Sequence, residues 1–148
     1  MVPDNQLSVY TRASFDLVDV FTALRVLVAA DYDDGYVVWV NGTEVFRSAE
    51  MPVGDPDWDT PATAHESSNL ADPDYGLLND VTALAQSVLH SGTNVLAVGV
   101  WNTDVDSSDL VVVPRFSIQT SIDNCPDDFN PGQEDTDGDG IGDACDPS

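Results

Sequence analysis

The sequence predicts an all-β fold, an antiparallel β-sandwich with one short helix. Three observations point there. Short apolar runs recur between turn signals, an Asn-Gly pair separates two of them, and one window alone repeats its apolar residues at helical spacing. Taken in order, residues 8–17 alternate enough to form a first strand, and 24–30 (LRVLVAA) form a second. Asp33-Asp34-Gly35 reads as a turn into a third strand, 36–40 (YVVWV). Asn41-Gly42 is the strongest local hairpin signal in the chain, because a two-residue turn of this kind needs positive φ at both positions. Its returning partner is 43–48.

From 49 to 79 the periodicity disappears into a stretch rich in Pro, Gly, Asp and Ser, with Trp58, His65 and Tyr75 embedded. A loop this long inside a compact domain is functional or mobile. Asp80 is placed to N-cap a short helix, with Val81, Leu84, Ala85, Val88 and Leu89 on one face and Ser91-Gly92 at its end. Residues 95–101 (VLAVGVW) and 110–119 supply the last strands. Strands dominate, turns are short and one helix caps an end, the pattern of a sandwich.

The chain has 148 residues, 27 acids, four Arg and no Lys, for a formal charge of −23. Hydrophobic residues make up 42%, enough for a core. Nine acids lie after residue 120, so the preceding body keeps eighteen against its four Arg. A field of this sign repels nucleic-acid phosphates and anionic membranes. It also disfavours acidic polysaccharides unless calcium bridges them, and suits a saline setting where screening weakens self-repulsion. No stretch approaches the roughly 18 apolar residues of a membrane span. No signal peptide opens the chain, which reads as a piece of a larger secreted protein.

The most specific signal is the tail. Asp135, Asp137 and Asp139 alternate, Gly140 follows, and Asp146 closes the loop. These are the first, third, fifth, sixth and twelfth positions of a calcium loop. Alternate carboxylates in a tight turn converge on one hard cation, and Gly at the sixth position permits the bend. The Ile141 carbonyl stands at the seventh position and Asp143 at the ninth, where a ligand often acts through water. Pro131 and Gly132 leave no room for an entering helix, so this is not an EF-hand.

Extended to Asp123, Cys125, Pro126, Asn130, Pro131, Gln133 and Cys145, the segment resembles a thrombospondin type 3 repeat. The resemblance covers the tail only. It implies calcium held by a coil of little regular structure, with Asp123 and Asn130 pointing to a second ion, and one disulfide between Cys125 and Cys145. A zinc pair is the other reading of two cysteines, but it lacks short Cys spacing and a nearby His. A loop of this size stabilises by about 3 kcal/mol in the chain-entropy model and implies an oxidising, extracellular compartment.

A second resemblance covers most of residues 1–120. The run from Asp33 through Trp39 to Val45, then Asp80-Val-Thr-Ala-Leu, Gly92-Thr-Asn-Val-Leu-Ala-Val and Ser107-Ser-Asp109, resembles galactose-binding-like jelly-roll modules of secreted bacterial glycan-active proteins. The chain then divides into a jelly-roll sandwich, 1–120, and a calcium-stapled coil, 121–148. Modules of this type commonly bind carbohydrate, and many hold a structural calcium in the sandwich.

Sugar binding needs aromatic faces for stacking and polar side chains for hydroxyls. Trp58 lies among Asp55, Pro56, Asp57 and Asp59, where nothing nearby in sequence buries it, and Tyr75 sits in similar company. These two are the leading platforms. Trp101, ending a strand, is expected at the sandwich rim, with Asn102 and His65 as polar partners. Trp39 reads as core or sheet face. Asp104, Asp106 and Asp109 read as a solvated turn that could instead bind hydroxyls or a second calcium, and Asp55, Asp57 and Asp59 are a weak cation motif lacking the glycine turn. Catalysis finds little support. His65-Glu66 begins like a zinc-protease motif, but Asn69 stands where its second His belongs, and His90 sits at a helix end. The expectation is a non-catalytic carbohydrate-binding module for neutral or calcium-bridged polysaccharide, with Ca2+ ordering a spacer toward further domains. The alternative is a calcium-ordered extracellular structural or adhesion module without sugar binding.

Overall fold

The structure, a computed structural model, describes residues 7–20, 23–120, 124–125, 134–138 and 141–146. It contains strands β1 (Ser8–Leu17), β2 (Arg25–Asp33), β3 (Gly35–Val40), β4 (Thr43–Arg47) and β5 (Asn79–Asp80), helix α1 (Thr82–Gln86), then β6 (Gly92–Trp101) and β7 (Val111–Gln119). One sheet runs β1-β6-β3-β4 and the other β5-β2-β7, with every pair antiparallel. The fold is therefore the expected all-β sandwich with one short helix.

Alternation explains the core. Val26, Val28 and Ala30 of β2 meet Tyr36, Val38 and Val40 of β3 and Val98 of β6 between the sheets, and Val81, Ala85 and Leu89 close one end. The opposite face of β3 is buried too, because Val37 joins Met51, Ala62 and Trp101 in a second cluster on the outside of the four-stranded sheet. Burial on both faces is why YVVWV reads as an unbroken apolar run.

The Asn41-Gly42 turn forms as expected, with φ of 50° and 82°. Asn41 does more than turn. Its amide group donates to the Val88 carbonyl and to Asn94 Oδ1, each at 2.8 Å, and its own Oδ1 accepts the Val95 amide. These bonds tie the hairpin to the segment that enters β6.

Three expectations shift. The Asp33-Asp34-Gly35 turn is shorter than a free loop: β2 continues to Asp33 and β3 begins at Gly35, so the chain crosses between the sheets there through a cis Asp33–Asp34 peptide. Asp80 is not the N-cap; it pairs with Leu27 as part of β5, while its carboxylate still accepts the Thr82 amide at 3.0 Å. Leu84 is exposed, since a helix of five residues buries only Ala85.

Candidate functional site

The 49–79 loop is pinned by acids of β2 and of the crossover. Asp31 accepts the Ser68 amide at 2.7 Å, the Asp74 amide at 3.1 Å and the Ser68 hydroxyl. Asp34 accepts the His65 amide at 2.9 Å through one oxygen and the Thr103 amide at 2.8 Å through the other. The Ser68 bonds hold the Asp31 carboxyl below the usual carboxylate range. Asp33, between them, behaves oppositely. Burial first, then the nearby charges of Asp34, Asp109 and Glu66, push it up to about 6.

So held, the loop walls an open concavity of about 640 Å³ where the edge of β2 beyond β5 faces β4. Tyr32, Tyr36, Phe46, His65 and Tyr75 supply its rings, and Asp31, Arg47, Glu66, Ser68, Asp74 and Asn79 its polar groups. The rings are ordered by their contacts. His65 stacks on Tyr32 with centroids 4.1 Å apart and planes 4° from parallel. Its Nδ1 lies 3.0 Å from the Tyr32 carbonyl, which can only accept, so Nδ1 carries a proton. The Tyr32 hydroxyl donates to Glu50 Oε2 at 2.9 Å, and its pKa is driven up by burial and by that bond. Burial and the Glu50 charge push Tyr36 up to about 12. Tyr75 is half-buried, with the Arg115 guanidinium 5.6 Å from its ring centre.

Of the residues expected to bind sugar, Tyr75 and His65 come together in this concavity. Trp58 is exposed (65%), as its sequence neighbours imply, but it lies elsewhere. Its carbonyl accepts the Ser8 hydroxyl of β1, the edge of the sheet opposite β4. Trp101 corrects the rim expectation: it is 0% exposed, covered by Met51 and Ala62, with Nε1 donating to the Asp57 carbonyl at 2.8 Å. Asn102 is also corrected. It is 3% exposed, wedged between Leu7 and Ala62 by backbone bonds, and its Oδ1 has no hydrogen-bond partner among the described residues. Neither presents a surface to a ligand. Trp39 is a half-buried sheet-face residue beside Trp101. Asp104, Asp106 and Asp109 form an exposed turn in which Asp104 Oδ1 accepts the Asp106 amide. The sequence reading did not single out Tyr32, Tyr36, Phe46 or Asp31, which the fold brings into the lining.

In the tail, Cys125 and Cys145 are disulfide bonded with Cα atoms 5.6 Å apart. Asp135 Oδ1 accepts the Gly138 amide at 2.8 Å, and the Asp143 carboxylate accepts Thr136 N and Oγ1 at 2.8 and 2.6 Å. Thr136, Asp137, Asp143 and Asp146 line a small open concavity. This oxygen-only set suits a hard cation. Among the described residues no three Asp, Glu, His or Cys side chains are set as a ligand shell. The expected ligands Asp123, Asn130 and Asp139 lie outside the described residues; Ile141 lies within them and is exposed. Also among the described residues, no helix is long and apolar enough to cross a membrane.

No known family profile matches the chain. Among solved structures, a similar chain is the Streptomyces avermitilis alpha-L-rhamnosidase crystallised with L-rhamnose, at 18% identity and a TM-score of 0.39 over 88% of this chain. The match spans 12% of that chain.

Proposed function

We propose that this chain is a non-catalytic carbohydrate-binding module whose ligand lies in the β2–β4 concavity. It is followed by a calcium-binding repeat that serves as an ordered spacer in a larger secreted protein. The observation that carries the reading is the concavity itself. Its volume falls within the range of about 300–1,000 Å³ usual for ligand sites, and it combines ring faces with several hydrogen-bonding groups. Tyr75 and the Tyr32–His65 stack offer ring surfaces for the apolar face of a sugar. Ser68, Asn79, Glu66 and Asp74 offer partners for its hydroxyls. In the tail, Asp137, Asp143 and Asp146 would hold calcium, which supplies the positive charge that lets a crowd of carboxylates stay compact.

The test is retardation of the protein in gels containing neutral polysaccharides, with calcium and with chelator. Wild type is expected to be slowed by at least one of them, and Tyr75→Ala to weaken that binding about tenfold or more, ~1.4 kcal/mol, without a change in melting temperature. Chelation is expected to leave the binding intact and to shift amide resonances only beyond residue 120. No retardation on any polysaccharide, with calcium uptake intact, would replace this reading with a calcium-ordered structural or adhesion module. Release of reducing sugar would overturn the non-catalytic assignment.

A further inference from the structure

Resting on the sugar site proposed above, we infer that the sugar it takes carries a free amine, as in an oligosaccharide of glucosamine-type residues. The lining charges are unbalanced. Among the described residues, Asp31, Glu66 and Asp74 line the concavity with one Arg, Arg47. That cation is already engaged. Glu44 accepts from Arg47 Nε at 2.9 Å and from Nη2 at 2.6 Å, and the Pro52 and Gly54 carbonyls take further N–H groups. Its charge therefore offsets Glu44 first, and the Arg115 guanidinium lies over Tyr75, so the three carboxylates of the cleft face guanidinium groups that are already engaged. Asp31 is itself occupied by the loop, with Ser68 and Asp74 donating to it, and Asp74 Oδ1 accepts the Gly76 amide at 2.9 Å, which leaves Glu66 and the other Asp74 oxygen for an entering ligand.

The rings act in the same direction. An ammonium is attracted to the faces of Tyr and Phe rings; Tyr75 already carries the Arg115 guanidinium 5.6 Å from its centre, so the attraction falls to the other rings of the lining. Tyr32 and Phe46, both half-buried, supply those rings, while Tyr36 lies buried behind them. Beyond the cleft, a chain of −23 with no Lys surrounds the site with negative potential, which a concave surface concentrates. A neutral sugar gains nothing from this field, and a uronate is repelled by it. An amino sugar satisfies both parts of the wall at once, because its ammonium sits at the ring periphery next to hydroxyls while the apolar C–H face remains free to stack.

The experiment is calorimetric titration of the protein with the β-1,4-linked glucosamine tetrasaccharide and with its fully N-acetylated, uncharged counterpart. At low salt the free-amine tetramer is expected to bind about tenfold more tightly, with the gap narrowing as ionic strength rises. Glu66→Gln and Asp74→Asn are each expected to shrink that preference several-fold. Asp16→Asn, which removes the same charge from the exposed edge of β1, is expected to keep it. Equal affinities for the two tetramers overturn the amine inference and leave the sugar site standing. So does an equal loss in the Asp16 variant, which would reduce the preference to attraction by the whole surface. If neither tetramer binds and no polysaccharide retards the protein, the sugar reading itself fails.

Discussion

Two aromatic clusters of the sandwich, one around Trp101 and one around Tyr32, end in opposite states. On the outer face of the four-stranded sheet, Trp101 is sealed. Tyr10 meets its ring edge-on at 5.1 Å, Trp39 lies 6.2 Å away, and the indole N–H is satisfied by Asp57. At the β2–β4 edge, the Tyr32–His65 stack and Tyr75 border an open cleft. Both clusters are covered by parts of the same loop. What differs is what the loop brings. Its first part contributes Met51 and Ala62, which displace water from the indole. Its second part is held by Asp31 and Asp34 through amides and hydroxyls, which fix a wall without filling the space behind it. Apolar anchors close a cluster, and polar anchors hold one open.

The sealed cluster depends most on Trp101. Trp101→Ala is expected to cost about 3–5 kcal/mol of stability, because it leaves a cavity and strips the Asp57 carbonyl of its donor. Denaturant unfolding measures it, and a loss under ~1 kcal/mol would mean that the outer cluster is not sealed. Gly99→Ala probes the same cluster more gently. A Cβ at this position would stand 2.5 Å from the Trp101 ring and 3.2 Å from Tyr10, so an overpacking cost of about 1–3 kcal/mol is expected.

The open side responds to pH. Asp33 is raised to about 6 when folded, so its contribution to stability is full below the ordinary carboxylate range and is lost as pH rises through about 6. Asp31 runs the other way: its lowered pKa gives stability above that range, which is lost only in stronger acid. Between about pH 4 and 6, melting temperature is therefore expected to fall as pH rises. Asp33→Asn should flatten that slope and raise the melting temperature near neutrality. A slope unchanged in the variant would assign the titration to another group.

The smallest effect separates the two faces by ligand. Trp58→Ala is expected to leave polysaccharide binding within about twofold of wild type, because Trp58 sits by β1 and not in the cleft. A loss as large as that of Tyr75→Ala would move the site to the outer face, where Tyr10 is 52% exposed.

The long strands and the hairpin are legible in the sequence, because short apolar runs between turn signals and the positive φ of Asn41 and Gly42 are local properties, whereas the two-residue β5 is not. Local patterning could not say which aromatic residues reach solvent. Trp58 and Trp101 both stand beside acidic runs, yet one is exposed and the other buried. Trp101 is buried by partners some forty and fifty residues distant, Ala62 and Met51, which only the folded loop delivers. Tyr32 and Phe46 likewise become a site only because β2 and β4, in different sheets, leave a gap at one edge. Sequence alone located most of the strands and paired β3 with β4, since turn chemistry at Asn41-Gly42 is local, whereas the long-range pairs β1–β6, β3–β6 and β2–β7 emerged only in the fold. Tertiary structure decided which faces stay open, since that depends on where a distant loop places methyl groups and where it places carboxylates.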